Sequence, residues 1–253
     1  MDVGLLLTVL IVLGGVQVTL RAMPPTAVDR AQVVEMVSTP LIVGLISARV
    51  VFVLLDHPAS VFRLRDLMVV RAGVEFWAGV FVALAWVLVR VRRSVDRGGA
   101  MVTLAAAMPY LLIGVALYEA SCLVRDGCLG PIATVGLKPN GLGSTMVPVG
   151  VLVAGVLAIA ALVVRNAWTL EAEQTVLCAF AVLGGVRLVA SWFLPAFGPS
   201  RVERESALVF AVSLSALVVR AVRRRRARRG AFESDSGSDR KAVDNNGGDV
   251  TVS

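Results

Sequence analysis

The chain contains seven long apolar stretches, and no other feature of the sequence constrains its fold as strongly. A spanning α-helix needs roughly 20 mostly apolar residues, because it rises 1.5 Å per residue across about 30 Å of hydrocarbon. A helix also satisfies its own backbone hydrogen bonds, which lipid cannot do. We therefore expect an all-α, polytopic membrane protein with about seven transmembrane helices. The predicted segments are Val3–Leu20, Val34–Leu55, Val74–Val89, Met101–Val124, Met146–Val164, Gln174–Leu194 and Ser206–Val222.

The composition favours a lipid environment over a soluble fold. Hydrophobic residues make up 57% of the 253 residues, whereas soluble domains average about 45–50%. The formal charge of +7 comes largely from arginines in short clusters between apolar stretches, a pattern that is typical of membrane topology. The sequence has no zinc-type Cys/His spacing and no phosphate-binding loop. It thus predicts the lipid bilayer as a partner, with no nucleic acid and no metal.

The distribution of Lys and Arg predicts the orientation of the chain. The loops on the side of the tail, together with the basic stretch Arg220–Arg229, carry 14 of these residues, and the loops on the opposite side carry 7. Because positively charged loops stay in the cytoplasm, we expect an external N-terminus and a cytoplasmic C-terminus. We divide the chain into a seven-helix membrane domain, residues 1–222, and a cytoplasmic tail, residues 223–253. The tail begins with a polybasic run that suits anionic lipid, and its polar composition after Gly230 predicts disorder.

Two connections on the predicted external side are longer than links between neighbouring helices need to be. The pattern of Asp56–Gly73 favours an amphipathic segment that lies along the membrane interface. Arg125–Thr145 is rich in Gly and Pro, which predicts an irregular loop. Trp77, near the start of the third segment, is interpreted as an interfacial anchor.

Three ionisable residues, Arg49, Glu119 and Arg187, are candidates for bilayer depth, because they lie further from the ends of the predicted spans than the other charged residues do. A charge at bilayer depth costs a few kcal/mol, so we expect such residues to face the bundle interior and to have partners. In one interpretation, Glu119 neutralises one of the arginines and locks the helices together. In the other, the three residues line an outward-facing cavity in which the arginines bind the phosphate of an anionic lipid.

Further reactive side chains lie at the predicted external helix ends. His57, the single histidine, is a candidate base, with a solvated loop histidine as the alternative. Glu75 opens the third segment. Cys122 and Cys128 are candidates for a structural disulfide on an oxidising side of the membrane, with two free thiols as the alternative.

Four patches, in order along the chain, carry a resemblance to a known family. They are Ala48-Arg49-Val50-Val51-Phe52 with Asp56-His57-Pro58, Glu75-Phe76-Trp77-Ala78-Gly79, Tyr118-Glu119-Ala120-Ser121-Cys122-Leu123 with Gly130, and Gly184-Gly185-Val186-Arg187-Leu188-Val189-Ala190-Ser191. Together they resemble the motifs on the second, third, fourth and sixth helices of the prolipoprotein diacylglyceryl transferases.

This resemblance implies a seven-helix, diacylglyceryl-transferase-like bundle in a bacterial-type plasma membrane. The family transfers diacylglyceryl from phosphatidylglycerol to the lipobox cysteine of preprolipoprotein signal peptides, with no metal or organic cofactor. By resemblance, Arg187 and Arg49 bind the lipid phosphate. The candidate catalytic residues are Glu119, Glu75 and His57.

Three residues depart from the family pattern at positions that carry chemistry. Trp77 stands where the family has a histidine, Glu119 where it has an arginine, and Ser191 where it has a glutamate. An indole cannot take a proton from a thiol, and a carboxylate repels phosphate unless it is paired or neutral. The sequence thus leaves two hypotheses open, a divergent transferase and a non-catalytic relative that binds lipid or a lipoprotein precursor.

Overall fold

The computed structural model describes residues 3–26, 28–56, 75–93, 96–125, 129–138, 143–167, 170–193 and 201–245. These residues form seven α-helices, one 3₁₀ turn and one β-strand. The helices are α1 Val3–Ala22, α2 Arg30–Asp56, α3 Phe76–Arg93, α4 Arg97–Ala120, α5 Val149–Asn166, α6 Ala172–Phe193 and α7 Arg201–Asn245. The 3₁₀ turn is Ser121–Arg125 and the strand, β1, is Ile132–Leu137.

Five helices within the described ranges are long and apolar enough to cross a membrane, namely α2, α4, α5, α6 and α7. The apolar part of α1, Leu7–Ala22, is shorter. In α3, three arginines crowd the last turn and lower the hydropathy of an otherwise apolar helix. Each of the seven predicted segments nevertheless overlaps one helix. The structure therefore shows a mostly helical chain with five candidate spans, and the full count of seven stays a prediction.

The helices form an up-and-down bundle around α4, which packs against α1, α2, α5 and α6. Asp96 caps the first turn of α4, where its side chain accepts a hydrogen bond of 3.0 Å from the backbone of Gly99. The Tyr110 hydroxyl of α4 donates to the carbonyl oxygen of Met23, just beyond α1. These contacts hold α4 at the centre of the bundle.

Glycines allow two antiparallel helix pairs to approach closely. At the crossing of α2 and α3, a Cβ built on Gly79 would lie 2.6 Å from the carbonyl oxygen of Gly44. At the crossing of α6 and α7, a Cβ built on Gly184 would lie 2.8 Å from the backbone nitrogen of Phe210. Membrane helices associate largely through such close packing, because lipid supplies no hydrophobic drive between them.

One end of the bundle, which we call the basic end, carries most of the arginines of the connections. Three ion pairs tie neighbouring helices together there: Glu35–Arg90, at 2.6 Å, joins α2 to α3, whereas Glu173–Arg220 and Glu171–Arg224 join the start of α6 to α7. All of these side chains are exposed. The opposite end, which we call the site end, holds the buried charges described below.

The structure differs from the sequence predictions at two places outside the bundle. The connection expected to be an irregular loop contains β1, which pairs with Met146. Beside it, the N–H of Gly130 donates to the carbonyl oxygen of Val147, and the N–H of Val147 donates to that of Pro131. The tail expected to be disordered after Gly230 continues α7 as a helix to Asn245. Extending a helix that has already formed is easier than starting one, because each added residue gains a hydrogen bond while only its own two dihedral angles are fixed. Most of the predicted interfacial segment Asp56–Gly73 lies outside the described residues.

Candidate functional site

A buried ion pair joins α4 to α6 near the site end. Arg187 contacts Glu119, and their side chains are only 14% and 12% exposed. Desolvation opposes the burial of both charges, and their mutual attraction offsets it, so removing one partner would leave a costly unpaired charge. The sequence predicted that Glu119 pairs with Arg49 or Arg187, and the structure pairs it with Arg187.

Arg187 also stacks on the first residue of α3. The carbon at the centre of its guanidinium lies 3.5 Å from the centroid of the Phe76 ring, a cation–π contact. The same ring lies 6.3 Å from that of Tyr118, the residue before Glu119. The start of α3 is thereby fixed against α4 and α6.

Glu75 and Arg49 lie where the start of α3 meets α2, at the same end of the bundle as this pair. The backbone N–H of Glu75 donates a hydrogen bond of 3.2 Å to the carbonyl oxygen of Ala48, the residue before Arg49. Arg49 itself is buried and lies over Phe52, 5.8 Å from the ring centroid. We call Arg49, Glu75, Glu119 and Arg187 the polar cluster; within it, two positive and two negative side chains come from α2, α4, α6 and the residue before α3.

The structure corrects the interpretation of Trp77 as an interfacial anchor. Its side chain is fully buried, and its indole N–H donates a hydrogen bond of 2.9 Å to the hydroxyl of Ser206, near the start of α7. Ser206 in turn donates to the carbonyl oxygen of Val202. A buried tryptophan needs such a partner for its N–H. Trp77 therefore links α3 to α7 beneath the polar cluster.

An apolar groove of about 350 Å³ lies between α1, α2, α3 and α4. Its walls include Val12 of α1, Leu45 of α2 and Val80 of α3, and both Phe76 and Tyr118 line it. A second apolar cavity of about 120 Å³, between α2, α3, α4 and α6, shares Leu41 and Val80 with the groove. The groove is thus an apolar space that reaches Phe76 and Tyr118, the residues next to Glu75 and Glu119 in the chain.

The remaining candidate residues are only partly covered by the structure. Cys122 is buried in the 3₁₀ turn, but Cys128 lies outside the described residues, so the disulfide stays a prediction. His57 also lies outside them. Within the described ranges, no three His, Cys, Asp or Glu side chains are close enough together to hold a metal ion.

Sequence reasoning missed two parts of the site, the groove and the bond between Trp77 and Ser206. The glycines Gly44 and Gly79 signalled a close crossing of α2 and α3. No local signal pairs Trp77 with a serine 129 positions away. The chain matches no protein-family model, no curated protein and no solved structure.

Proposed function

We propose that this chain is a membrane protein that binds a phospholipid without transferring its diacylglyceryl group. The acyl chains occupy the apolar groove, and the head group meets the polar cluster. The observation that carries the proposal is the position of Phe76, which lines the groove and also supports the guanidinium of Arg187. The environment therefore changes from apolar to ionic across one ring, as it does along a phospholipid.

The preferred ligand in this proposal is phosphatidylglycerol, which the family resemblance implies. Its phosphate interacts with Arg187, since guanidinium groups are strong phosphate donors. Glu119 limits the net positive charge of the site, because it already pairs with Arg187. We therefore expect the acyl chains to contribute more to affinity than the phosphate does.

Two features of the cluster argue against transfer. In the family reaction the lipobox thiol loses a proton, its sulfur bonds to a glycerol carbon, and the bond from that carbon to the phosphate oxygen breaks, so that glycerol phosphate leaves with the negative charge. Trp77 offers no lone pair to accept the thiol proton, and its N–H is bonded to Ser206. Glu119 neutralises the positive charge of Arg187, the arginine that would stabilise the leaving phosphate. One such donor is typically worth about 10²–10³ in rate.

Glu75 favours a second candidate function, the transferase itself. It is a carboxylate of the cluster, and its buried Oε1 atom accepts no hydrogen bond from any described residue. In this alternative, Glu75 takes the thiol proton. Incubation of the purified protein with phosphatidylglycerol and a lipobox peptide tests it, and we expect no diacylglyceryl peptide by mass spectrometry. Robust modification that Glu75→Gln abolishes would establish the transferase instead.

Lipid retention tests the proposed function. Val12→Trp fills the groove from α1, whereas Val156→Trp places the same side chain on an exposed position of α5, away from the groove. We expect the unaltered protein and Val156→Trp to retain a phospholipid through detergent purification and Val12→Trp to retain much less, as counted by native mass spectrometry. Equal retention by the two variants, or no retention by the unaltered protein, would contradict the proposal.

A further inference from the structure

Two atoms of the polar cluster lack the hydrogen bonds that buried polar atoms normally have. They are Oε1 of Glu75 and Nε of Arg187, both buried and neither bonded to any described residue. Their requirements are complementary. The carboxylate oxygen needs a donor, and the Nε–H needs an acceptor.

Both atoms belong to side chains that flank Phe76. Glu75 precedes Phe76 directly, and its backbone is fastened to α2 through Ala48. Arg187 approaches the ring of Phe76 from α6. The Nε atom thus belongs to a side chain that stacks on Phe76, a residue of the groove wall, and the Oε1 atom belongs to the residue that precedes Phe76 in the chain.

A phosphate oxygen accepts from Arg187 but offers nothing to Glu75. A ligand that meets both requirements has a phosphate and, beyond it, an O–H or N–H donor. A glycerol hydroxyl and a primary ammonium group both qualify, whereas a choline group, whose nitrogen is fully methylated, has no donor. We propose that Glu75 determines head-group specificity by accepting a hydrogen bond from a hydroxyl or amine of the bound phospholipid. This inference rests on the lipid-binding function proposed above.

Two pairs of lipids test the effect of a hydrogen-bond donor in the head group, because the two lipids of each pair carry the same net charge. Phosphatidylethanolamine and phosphatidylcholine are both zwitterionic, and only the first has a donor. Phosphatidylglycerol and phosphatidylmethanol both carry one negative charge, and only the first has a donor. The purified full-length protein is exposed to equimolar mixtures of each pair in detergent, and the bound lipids are counted by native mass spectrometry.

In at least one pair, we expect the donor-bearing lipid to be preferred roughly tenfold or more, the usual effect of a hydrogen bond to a charged group. A preference in one pair alone identifies the donor as hydroxyl or amine. Glu75→Leu should reduce the preference to about one while a lipid still binds. Glu35→Leu, which removes an exposed carboxylate at the basic end, should leave it unchanged.

The outcomes separate this inference from the function on which it rests. If the unaltered protein retains no lipid, the lipid-binding proposal itself fails. If it retains lipid without preferring donors, or if Glu75→Leu keeps the preference, the role of Glu75 is refuted and lipid binding stands. Should Glu75→Leu fail to accumulate, Glu75→Gln replaces it: a neutral amide oxygen is a weaker acceptor, so the preference should fall several-fold, and an unchanged preference overturns the inference.

Discussion

Arg187 makes two contacts at once, an ion pair with Glu119 and a stack on Phe76. Together they connect α6 to both α4 and α3. An arginine can do this because its planar guanidinium presents donors at its edge and a flat face to a ring. A lysine at this position would keep the charge but lose most of the stacking, so Arg187 depends on its shape as much as on its charge.

Charge exchange tests the pair. Glu119→Arg and Arg187→Glu should each lower the free energy of unfolding by about 3–5 kcal/mol, because each leaves two like charges at a largely buried position. The double exchange should recover part of this loss, with a coupling free energy of about 0.5–3 kcal/mol. Denaturant unfolding in mixed micelles measures all three variants.

The exposed pair Glu35–Arg90 is the matched control. The same exchanges there should change stability by no more than about 1 kcal/mol. If the double exchange at Glu119 and Arg187 is no more stable than either single variant, the contact does not stabilise the protein.

For single residues, the sequence predicted that a buried charge requires a partner, but it did not identify which residue that partner is. The cost of a charge in lipid required a partner for Glu119, but two arginines were available, and the choice depends on how the helices pack. Trp77 was misinterpreted because an amphipathic ring suits the membrane interface and a buried hydrogen bond equally well. Only its contact with Ser206 distinguishes the two.

At the scale of secondary-structure elements, the apolar pattern of the sequence predicts where the helices lie better than where they end. Each predicted apolar segment overlaps an observed helix, because length and hydropathy are local properties of the chain. The ends differ by several residues, since polar residues such as Arg30 and Arg97 extend the helices beyond their apolar parts. β1 was missed because Gly and Pro dominated the interpretation of its connection, although Ile132, Thr134 and Val135 are β-branched residues that favour a strand.

The close crossing of α2 and α3 leads to an element-scale prediction. Gly79→Ala would bring a Cβ within 2.6 Å of the Gly44 carbonyl oxygen and 2.7 Å of the Ala48 Cβ. The helices must separate to accept it, so we expect a loss of about 1–3 kcal/mol in stability. Because α3 begins at Phe76, the variant should also weaken lipid retention at the groove.

Gly155→Ala in α5 is the matched control, since a Cβ there meets no described atom within 4 Å. Alanine is a better helix former than glycine, so this variant should be neutral or more stable by up to about 1 kcal/mol. Thermal unfolding followed by circular dichroism compares the two variants. Equal stability would show that the crossing tolerates an extra methyl group.

For the whole molecule, the sequence predicted an orientation that a fold without its membrane does not test. Arg21, Arg90 and Arg165, in the last turns of α1, α3 and α5, lie at the basic end of the bundle. Whether that end faces the cytoplasm depends on membrane insertion. The relation to the transferase family likewise stays a hypothesis based on four patches.

Reporter fusions test the orientation in bacterial cells. With a cytoplasmic tail, a fluorescent protein fused after Gly230 should be bright and alkaline phosphatase fused there should be inactive, because each matures on one side of the membrane. Both reporters inserted after Asn140, on the predicted external side, should give the opposite result. Phosphatase activity from the tail fusion alone would show that the chain is inverted.

The ion pairs at the two ends of the bundle differ in how far water reaches them. At the basic end, the paired side chains are between 38% and 66% exposed, whereas those of Arg187 and Glu119 are mostly covered. The screening length of salt falls from about 8 Å at physiological ionic strength to about 3 Å at 1 M. Concentrated salt should therefore loosen α7 from the start of α6 and leave the link between α4 and α6 intact.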